Sequence, residues 1–493
     1  MDQIEDVLRC LAAAPLPRIL MISHGIGGGV ERHINELVSV LDGYAHVLWL
    51  EPAAGRRMLR LTVPVLDRDT VAVEQSSTVK LAYRWPQDAE VFWQLLRWLN
   101  LSRVHIHHTQ GFASDFWPHL QAQGIEHDLT LHDHSIFTGH ASLVNTKGVF
   151  DPAWLTQGLE HLPQGDKHLA GSLQSLALTA QRVIVPSKQL LQAVQGVLPD
   201  MANNVCLLHR AHPDAECAQA YPQPYLRTLS PPVPLRVLCL GMLSIEKGAG
   251  VLAQVAKLAQ ERAAPVEFIL LGSCHVPLPA SIVRWGSYAD AQVQELIAQI
   301  DPHLVWLPAQ CPETWSYTLS AAFKSGLPVL TSAIGVFPER LQGRPLSWQC
   351  AHRAAVEQWL RALLDIRGLH FKPADVEFWS WLPPPAFYLN LPVCGEGQSN
   401  AGLEHAYWRA ANLISQPVEL PAAVVQSLAV AVQRARRGGG KWRSVVLGLL
   451  SWLRGSGCLA PLVRWIPYRW QQRIKRMITR EPLAERSKAR ERN

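Results

Sequence analysis

The sequence alternates short apolar runs with amphipathic stretches, and this alternation occurs in two separate series. The first series begins at residues 18–23, where an apolar run leads through a glycine-rich turn into a predicted helix. That helix places four apolar residues on one face: Ile34, Leu37, Val38 and Leu41. Strands that alternate with helices are typical of parallel, doubly wound sheets. The sequence therefore predicts an α/β fold with two Rossmann-like doubly wound domains.

Each series contains enough predicted elements for a sheet of its own. In the first series the predicted strands are 18–23, 46–50, 104–108, 128–132 and 182–186. Its predicted helices include 171–181 and 188–197. In the second series the predicted strands are 235–240, 267–272, 304–308 and 328–332, and the predicted helices are 249–262, 290–300 and 316–324.

A proline-rich stretch at 212–234 separates the two series and is predicted to be an interdomain linker. The predicted domains are an N-terminal Rossmann-like domain at 1–225 and a second Rossmann-like domain at 235–372. An irregular and helical extension at 373–437 and a basic tail at 438–493 follow. Two sheets in one chain leave a cleft between them, which is a preferred location for a ligand site.

Length and composition exclude several other classes of protein. A chain of 493 residues with 48% hydrophobic residues can bury two large cores. The first 20 residues contain Asp2, Glu5 and Asp6 and have no basic start, so we expect no signal peptide and a cytoplasmic location. The nine cysteines are scattered and no His/Cys cluster has the spacing of metal ligands, so we expect neither a disulfide framework nor a zinc site. The longest apolar stretches are about half the ~20 residues that cross a bilayer.

A glycine-rich loop follows the first predicted strand and precedes the first predicted helix. It reads Ser-His-Gly-Ile-Gly-Gly-Gly-Val over residues 23–30. Glycines let a ligand approach the backbone closely, and a helix N-terminus offers unpaired N–H groups to a phosphate. Gly27, Gly28 and Gly29 are therefore predicted to bind a phosphorylated ligand. The alternative is a tight turn with no binding function.

The same loop permits a second, less favoured interpretation. The dinucleotide-binding fingerprint needs the pattern G-x-G-x-x-G and an acidic residue about 20 positions further on. Gly25, Gly27 and Glu51 fit this pattern, but Val30 occupies the third glycine position. An NAD-dependent oxidoreductase therefore stays an alternative.

A second strand-to-helix turn opens the second series and reads Gly-Met-Leu-Ser-Ile-Glu-Lys-Gly over residues 241–248. A lysine in such a turn can reach the phosphates of a ligand held between the domains. Gly241 and Lys247 are therefore predicted to contact that ligand. A solvated lysine with no ligand is the alternative, since most lysines are exposed.

The third motif begins with Pro-Glu-Thr-Trp-Ser-Tyr-Thr-Leu-Ser at residues 312–320 and continues through a helix to Gly-Leu-Pro-Val at 326–329. Glu313 stands in a loop just before the predicted helix, whose N-terminus can hold a phosphate. Its carboxylate is placed to accept hydrogen bonds from sugar hydroxyls. The predicted ligand-binding residues here are Glu313, Thr314, Ser316, Tyr317 and Thr318.

The three motifs, in this order and on these elements, resemble those of the retaining GT-B glycosyltransferases of the family numbered four. The resemblance runs from about residue 18 to about residue 341. Its most specific part is 312–329, which looks most like members that assemble bacterial surface polysaccharides.

The resemblance implies transfer of a hexose or deoxyhexose, with retention, from a nucleotide-diphosphate sugar to a glycan or lipid-linked acceptor. It implies that the two domains face a cleft, with the acceptor on the side of 1–225 and the nucleotide sugar bound by 235–372. It implies further that Gly27, Gly28 and Gly29 face the donor. It also implies that His132 lies beside the transferring sugar, that Lys247 neutralises the diphosphate and that Glu313 binds the donor sugar. These three are the predicted catalytic residues, although a structural role for His132 stays open. No metal ion and no cofactor besides the donor substrate are expected.

Two positions depart from the pattern of the family. Ala321 stands where a second glutamate contacts the ribose, and Met242 stands where an arginine is frequent. These departures keep open a catalytically degenerate protein that binds nucleotide sugars without turnover. A sugar-nucleotide epimerase or hydrolase with the same fold is a further alternative. Asp67 and Asp69 form a D-x-D pair, but on a segment that neither cleft motif includes.

The C-terminal segment is strongly basic, with 16 Lys and Arg against 3 Glu from Arg434 to the end, so the remainder is net acidic. Tryptophans alternate with its arginines, as in Trp442, Trp452, Trp465 and Trp470. This pattern suits peripheral attachment to an anionic membrane surface at the inner face of the plasma membrane. Helices that pack on the body of the protein are the alternative, and no nucleic-acid-binding motif accompanies the charges.

Overall fold

The computed structural model describes most of the two predicted domains and one later helix. The described residues are 2–53, 57–66, 73–144, 149–150, 152–155, 159, 162, 164–200, 206–209, 221–230, 232–274, 276–371 and 420–437.

The first domain contains an eight-stranded sheet in the order β4-β3-β2-β1-β5-β6-β7-β8. Its strands are β1 (Arg18–Ile22), β2 (His46–Ala53), β3 (Met58–Leu66), β4 (Val73–Arg84), β5 (Arg103–Ile106), β6 (His127–Thr130), β7 (Arg182–Val185) and β8 (Cys206–His209). Strands β2, β1 and β5 to β8 are parallel, whereas β3 and β4 form an antiparallel hairpin at one edge. The hairpin was not among the predicted elements.

The helices of the first domain are α1 (Asp2–Ala13), α2 (Gly29–Leu41), α3 (Ala89–Trp98), α4 (Phe116–Ala122), α5 (Ser135–Thr138), α6 (Gln164–Leu178) and α7 (Lys188–Val197). Helix α2 buries Ile34, Leu37 and Leu41 as predicted, but Val38 is 37% exposed, so its predicted burial is wrong. His33 instead completes the buried face. At about 100° per residue, a stripe that includes His33 is centred away from Val38 and leaves it at the edge.

The second domain contains a fully parallel six-stranded sheet in the order β11-β10-β9-β12-β13-β14. Its strands are β9 (Leu235–Leu243), β10 (Val266–Cys274), β11 (Val283–Gly286), β12 (Leu304–Leu307), β13 (Val329–Ser332) and β14 (Ser347–Cys350). Its helices are α8 (Ala249–Glu261), α9 (Val293–Ile300), α10 (Tyr317–Lys324), α11 (Phe337–Leu341) and α12 (Val356–Leu369). Counted from β9, this is the Rossmann order 3-2-1-4-5-6. The predicted fold class, two Rossmann-like doubly wound domains, is confirmed.

Aromatic side chains fill both cores. In the second domain Trp306 of β12 packs on Trp359 of α12 with ring centroids 5.4 Å apart, and both are fully buried. In the first domain Trp85 packs edge-on against Phe116 at 5.1 Å. Burial of a side chain of this size contributes on the order of 2–3 kcal/mol. Each sheet therefore has a core able to hold its strand ends in place.

The chain returns to the first domain after the second. Residues 221–230, within the predicted linker, form neither helix nor strand. Helix α13 (Ala422–Arg437) lies against β4 and α3, and Arg434 forms an ion pair with Asp88. Within the predicted extension 373–437, the described helix thus packs on the first domain. The predicted tail 438–493 lies outside the described residues, and none of the described helices has the length and hydropathy of a membrane span.

Candidate functional site

The three sequence motifs all leave the carboxyl ends of strands at the centre of their sheets. The loop at 23–28 joins β1 to α2, and the loop at 244–248 joins β9 to α8. The third motif follows β12, the neighbour of β9. The strand order reverses between β1 and β5 in the first sheet and between β9 and β12 in the second. Connections from the two strands of each pair run to opposite sides of their sheet, which creates a crevice beyond the strand ends. Ligands of doubly wound sheets bind in such crevices.

Lys247 and Glu313 meet in the crevice of the second domain, where Lys247 Nζ lies 3.4 Å from Glu313 Oε1. The side chain of Lys247 is 48% exposed and that of Glu313 is 17% exposed. The backbone N–H of Gln310 donates to the carbonyl of Glu246 at 2.7 Å and ties the two loops together. The negative charge of Glu313 raises the pKa of Lys247 above its ordinary value. The ammonium is therefore charged at neutral pH and stays accessible to an anion.

Close backbone packing fixes the position of Glu313. The N–H of Val336 donates to the carbonyl of Glu313 at 3.0 Å. Gly335 has a φ of 60°, and a Cβ there would lie 2.5 Å from the Glu313 nitrogen. Only glycine combines that conformation with that approach. The loop after β13 thus packs against the main chain of Glu313 and fixes it, while the carboxylate of Glu313 reaches Lys247.

Tyr317 joins the two domains across the cleft. Its hydroxyl donates to Glu36 Oε2 at 2.8 Å, and the guanidinium of Arg32 lies 4.2 Å from the centroid of its ring. A Cβ on Gly29 would lie 3.4 Å from the same ring. Tyr317, predicted to bind the donor, therefore packs against the first turn of α2. Of the three predicted donor glycines, Gly29 thus lies directly against the third motif.

The turn that presents Tyr317 is held in an uncommon backbone conformation. Ser316 has a φ of 79°, and Arg340 donates to the carbonyls of Trp315 at 3.0 Å and Ser316 at 2.8 Å. The hydroxyls of Ser316 and Thr318 hydrogen-bond to each other at 3.1 Å. A non-glycine residue in the left-handed region costs energy and persists only where its surroundings enforce it. Here the guanidinium of Arg340 holds Ser316 in that conformation through its hydrogen bonds to the two carbonyls.

Thr314 and Thr318 complete the predicted set from the third motif. The hydroxyl of Thr314 donates to the backbone carbonyl of His132 at 2.5 Å, so the structure brings motif three to the predicted catalytic histidine. Thr318 packs against Gly241, where a Cβ would lie 3.0 Å from its methyl group. The predicted residues of both domains therefore converge on one cleft.

Sequence reasoning missed a cluster of histidines around His132. His132 Nε2 and His107 Nδ1 share a hydrogen bond at 3.0 Å, and the ring of His33 lies 4.8 Å from that of His132. Burial lowers the pKa of His33 to about 3, so this imidazole is neutral at physiological pH. The sequence feature that could have pointed to this cluster is the alternation of His105 and His107 at the end of a predicted strand. Strand-end residues face the same crevice, but their meeting with His33 of α2 depends on tertiary packing.

A second histidine pair joins the glycine-rich loop of the first domain to the loop after β5. His24 packs on His108 with centroids 4.5 Å apart, and His108 Nε2 bonds to Asp133 Oδ2 at 3.0 Å. Burial, and then the proximity of His108, lower the pKa of His24 to about 3. Burial opposes ionisation of Asp133, yet hydrogen bonds from His108 and from the N–H of Ser135 hold the pKa of Asp133 below its ordinary value.

The two departures from the family pattern both lie in the second domain. Ala321 is buried in α10, and its carbonyl accepts a hydrogen bond from Gln294 at 3.1 Å. Its side chain offers no acceptor to a ribose. Met242, at the end of β9, is 44% exposed and supplies no charge. Lys247 is thus the cation that the second motif brings to the crevice.

Glu51 lies at the end of β2, where the dinucleotide-binding interpretation requires an acidic residue. Its carboxylate already pairs with Arg60 at 3.0 Å. Burial raises the pKa of Glu51 despite this partner. A ribose would have to displace Arg60, which weighs against the NAD interpretation. Asp67 and Asp69, the D-x-D pair, lie outside the described residues.

Comparisons with known proteins find structural similarity without sequence similarity. Neither a protein-family model nor a curated protein matches the chain. Sucrose-phosphate synthase from Thermosynechococcus elongatus is 13% identical with a TM-score of 0.45, over 72% of this chain and 90% of that one. A glycosyltransferase from Rickettsia africae is 13% identical with a TM-score of 0.44, over 72% and 89%. The catalytic domain of starch synthase IV from Arabidopsis thaliana is 14% identical with a TM-score of 0.43, over 75% and 97%. At this level of similarity, function has to be argued from the site itself.

Proposed function

We propose that this chain is a glycosyltransferase that moves a hexose or deoxyhexose from a nucleotide-diphosphate sugar to an acceptor, with retention at the anomeric carbon. The observation that carries the proposal is the Lys247–Glu313 pair, 3.4 Å apart in the crevice of the second sheet. This pair faces the glycine-rich loop of the first domain through the contact of Tyr317 with Gly29. One cation and one carboxylate in such a cleft suit a substrate that combines a diphosphate with sugar hydroxyls.

Each half of the pair has a distinct role in this proposal. The half-exposed ammonium of Lys247 turns from Glu313 towards the diphosphate and neutralises the charge that develops as the anomeric C–O bond breaks. Glu313, released from its partner, accepts hydrogen bonds from the donor sugar. Backbone N–H groups at the start of α10 add a partial positive charge. Loss of one preorganised contact of this kind typically lowers turnover by about 10²–10³-fold.

The acceptor enters over the first domain in this proposal. His132, whose carbonyl accepts from Thr314 at 2.5 Å, stands where the first domain meets the third motif and therefore beside the transferring sugar. A glycan or lipid-linked acceptor of cell-surface polysaccharide synthesis, at the inner face of the plasma membrane, is the acceptor class we propose. The reaction uses the donor alone, with no further cofactor and no required metal ion.

One observation favours a second candidate function. Ala321 and Met242 remove a carboxylate and a cation that the family pattern places near the nucleotide, and a degenerate member would bind the donor without transferring it. This candidate uses the same Lys247–Glu313 site. Turnover measurements therefore separate the two candidates, whereas binding measurements do not.

The experiment is a thermal-shift screen of the full chain against UDP-, GDP-, ADP- and dTDP-sugars and against NAD. A nucleotide at 100 times its dissociation constant stabilises the native state by about 2.7 kcal/mol, which shifts the melting midpoint measurably. We expect one sugar nucleotide to shift the wild type and to shift Lys247→Ala and Glu313→Ala much less. Lys257→Ala is the matched control, because Lys257 is an exposed lysine on α8 paired with Glu261.

Two outcomes would overturn the proposal. A shift by NAD alone would return the oxidoreductase interpretation. A sugar-nucleotide shift that is equal in wild type, Lys247→Ala and Lys257→Ala would place the binding site elsewhere. Release of free sugar without any acceptor would instead support a hydrolase or an epimerase with the same fold.

A further inference from the structure

Three imidazoles from three separate elements converge on one point of the first domain. His33 comes from α2, His107 follows β5, and His132 follows β6. Each offers one ring nitrogen, and these three atoms all lie within 4.8 Å of one another. Among the described residues, this is the group of His, Cys, Asp and Glu side chains whose geometry could hold a metal ion. His33 and His107 are buried, and His132 is partly buried.

The spacing is close to what a four-coordinate ion requires. Two nitrogens bound at about 2.0–2.1 Å to a tetrahedral zinc ion lie about 3.3 Å apart. His107 Nδ1 and His132 Nε2 are already 3.0 Å apart. The three ring nitrogens are at most 4.8 Å apart. A pair at that distance would have to approach by about 1.5 Å to reach the zinc spacing, which side-chain rotation permits. The proton that His107 and His132 now share moves to the outer nitrogen of one ring, so binding needs no charged imidazole.

The surroundings hold the rings in this arrangement. The ring of His105 packs on His107 with centroids 4.0 Å apart, and His105 Nε2 bonds to the hydroxyl of Thr130 at 2.8 Å. On the other side, the hydroxyl of Thr314 donates to the carbonyl of His132. Contacts that orient the ligand rings are a general property of metal sites and tune their affinity.

We propose that His33, His107 and His132 bind one Zn²⁺ or a similar transition-metal ion at the cleft side of the first sheet. Imidazole nitrogens suit zinc, copper, iron and nickel, whereas magnesium and calcium prefer oxygen ligands. Three protein ligands leave a fourth position for water or a ligand oxygen. The contact between His132 and Thr314 places that ion beside the third motif. This inference goes beyond the proposed function, since it holds whether or not the chain transfers a sugar.

The spacing of the ligands explains why the sequence did not reveal this site. His33, His107 and His132 are too far apart in the chain for any short metal-binding motif. The contacts that unite them exist only once α2 packs on β1 and β2 of the first sheet. The sequence-based expectation that the reaction requires no metal concerns the donor diphosphate and is a separate question.

The test uses the full chain, freed of any affinity tag, stripped with a chelator and titrated with Zn²⁺ by calorimetry without nucleotide. We expect one Zn²⁺ per chain, confirmed by elemental analysis after gel filtration. His33→Gln, His107→Gln and His132→Gln should each weaken binding by at least about tenfold, the lower end of what loss of an orienting partner alone costs. His168→Gln is the matched control, since His168 is an exposed residue of α6 and should leave affinity unchanged.

A measurement on the wild type alone guards against variants that fail to fold. Co²⁺ added to the stripped protein should develop the intense visible absorption of a four-coordinate ion, and an equivalent of Zn²⁺ should abolish it. The inference is overturned if Co²⁺ keeps its six-coordinate aqueous spectrum. It is equally overturned if folded His33→Gln, His107→Gln and His132→Gln bind Zn²⁺ as tightly as the wild type does.

Discussion

The two strand-end crevices of this protein share a topology and differ in chemistry. In the second domain the crevice beyond β9 and β12 holds a charged pair, Lys247 and Glu313, with the lysine half exposed. In the first domain the crevice beyond β1 and β5 is lined by imidazoles such as His24 and His33, whose pKa values burial lowers to about 3. The fold thus supplies two equivalent positions, and the residues at the strand ends decide what each can bind.

The two crevices suit different ligands. We call the crevice beyond β9 and β12 the charged edge and the crevice beyond β1 and β5 the neutral edge. A charged, accessible pair suits an anionic donor, because a lysine ammonium can exchange its carboxylate partner for a diphosphate. A buried set of imidazoles stays unprotonated, since burial disfavours the protonated form, and its ring nitrogens keep a free lone pair. It therefore suits a metal ion or a neutral part of a substrate. The contacts of Tyr317 and Thr314 across the cleft bring the two edges together.

The largest expected effect comes from the charged edge. Glu313→Gln keeps the shape of the side chain and removes its charge, so the ion pair with Lys247 is lost. We expect turnover with the donor identified by thermal shift to fall by about 10²-fold or more. Turnover is measured as the steady-state rate of nucleotide release. Glu261→Gln is the control for loss of an exposed carboxylate. Unchanged turnover in Glu313→Gln would remove this residue from the mechanism.

The backbone that supports this edge is also open to a test. Gly335→Ala introduces a Cβ 2.5 Å from the Glu313 nitrogen at a φ of 60°, so we expect a loss of about 3 kcal/mol of unfolding free energy. Gly343→Ala is matched, since Gly343 has a φ of 75° but nothing within 4 Å of the new Cβ, and should cost only about 1 kcal/mol. Urea unfolding measures both. Equal losses would mean that contact with Glu313 adds nothing.

The neutral edge predicts an acid-dependent loss of stability. The pKa of His24 is about 3 in the folded chain and about 6.5 in the unfolded chain. Below pH 6.5 the unfolded chain therefore binds a proton that the folded chain does not, and stability falls by up to about 1.4 kcal/mol per pH unit. This contribution is fully present above pH 6.5 and declines as pH falls towards 3.

Urea unfolding between pH 7 and pH 4.5 measures this effect. The wild-type slope should exceed that of His24→Gln by about one proton, because glutamine keeps a polar side chain but does not titrate. If His24→Gln has the same slope as the wild type, His24 is already protonated in the fold and the neutral edge is an incorrect description.

The smallest effect concerns the contact between the edges. Tyr317→Phe removes the hydrogen bond to Glu36 Oε2 while it keeps the ring beneath Arg32. We expect a loss of about 1 kcal/mol of unfolding free energy. A double-mutant cycle with Glu36→Ala, which removes the acceptor, isolates this contact, and its coupling energy should account for most of that loss. Additive effects of the two substitutions would show that the domains do not meet through this pair.

The sequence predicted the repeating architecture well and the lateral contacts poorly. Alternating apolar runs located β1, β2, β5 to β7, β9, β10, β12 and β13 within a few residues, because burial on both faces leaves a strong local signal. Strands β8, β11 and β14, each at the edge of its sheet, were not predicted. The hairpin β3–β4 was missed, since antiparallel edge strands have no crossover helix to mark them. Val38 was misplaced because the angular centre of a buried stripe depends on the packing partner.

The candidate site likewise contains residues that the sequence identified and contacts that it did not. Lys247 and Glu313 were recognised because each stands in a strand-to-helix turn, and their meeting at 3.4 Å follows from neighbouring strands β9 and β12. The histidine cluster was missed because its members come from α2, β5 and β6. The roles assigned to Tyr317, Thr314 and the glycine loop as donor-binding groups stay predictions. Their observed contacts join the two domains.

The most direct test of the central claim is a calorimetric titration of the wild type, Lys247→Ala and Lys257→Ala with the sugar nucleotide found by thermal shift. If the charged edge of the second domain holds the donor diphosphate, Lys247→Ala should weaken binding by at least about tenfold, while Lys257→Ala binds as the wild type does. Equal affinities in all three proteins would contradict the account, because the one cation that the second motif supplies to the crevice would then not contact the donor.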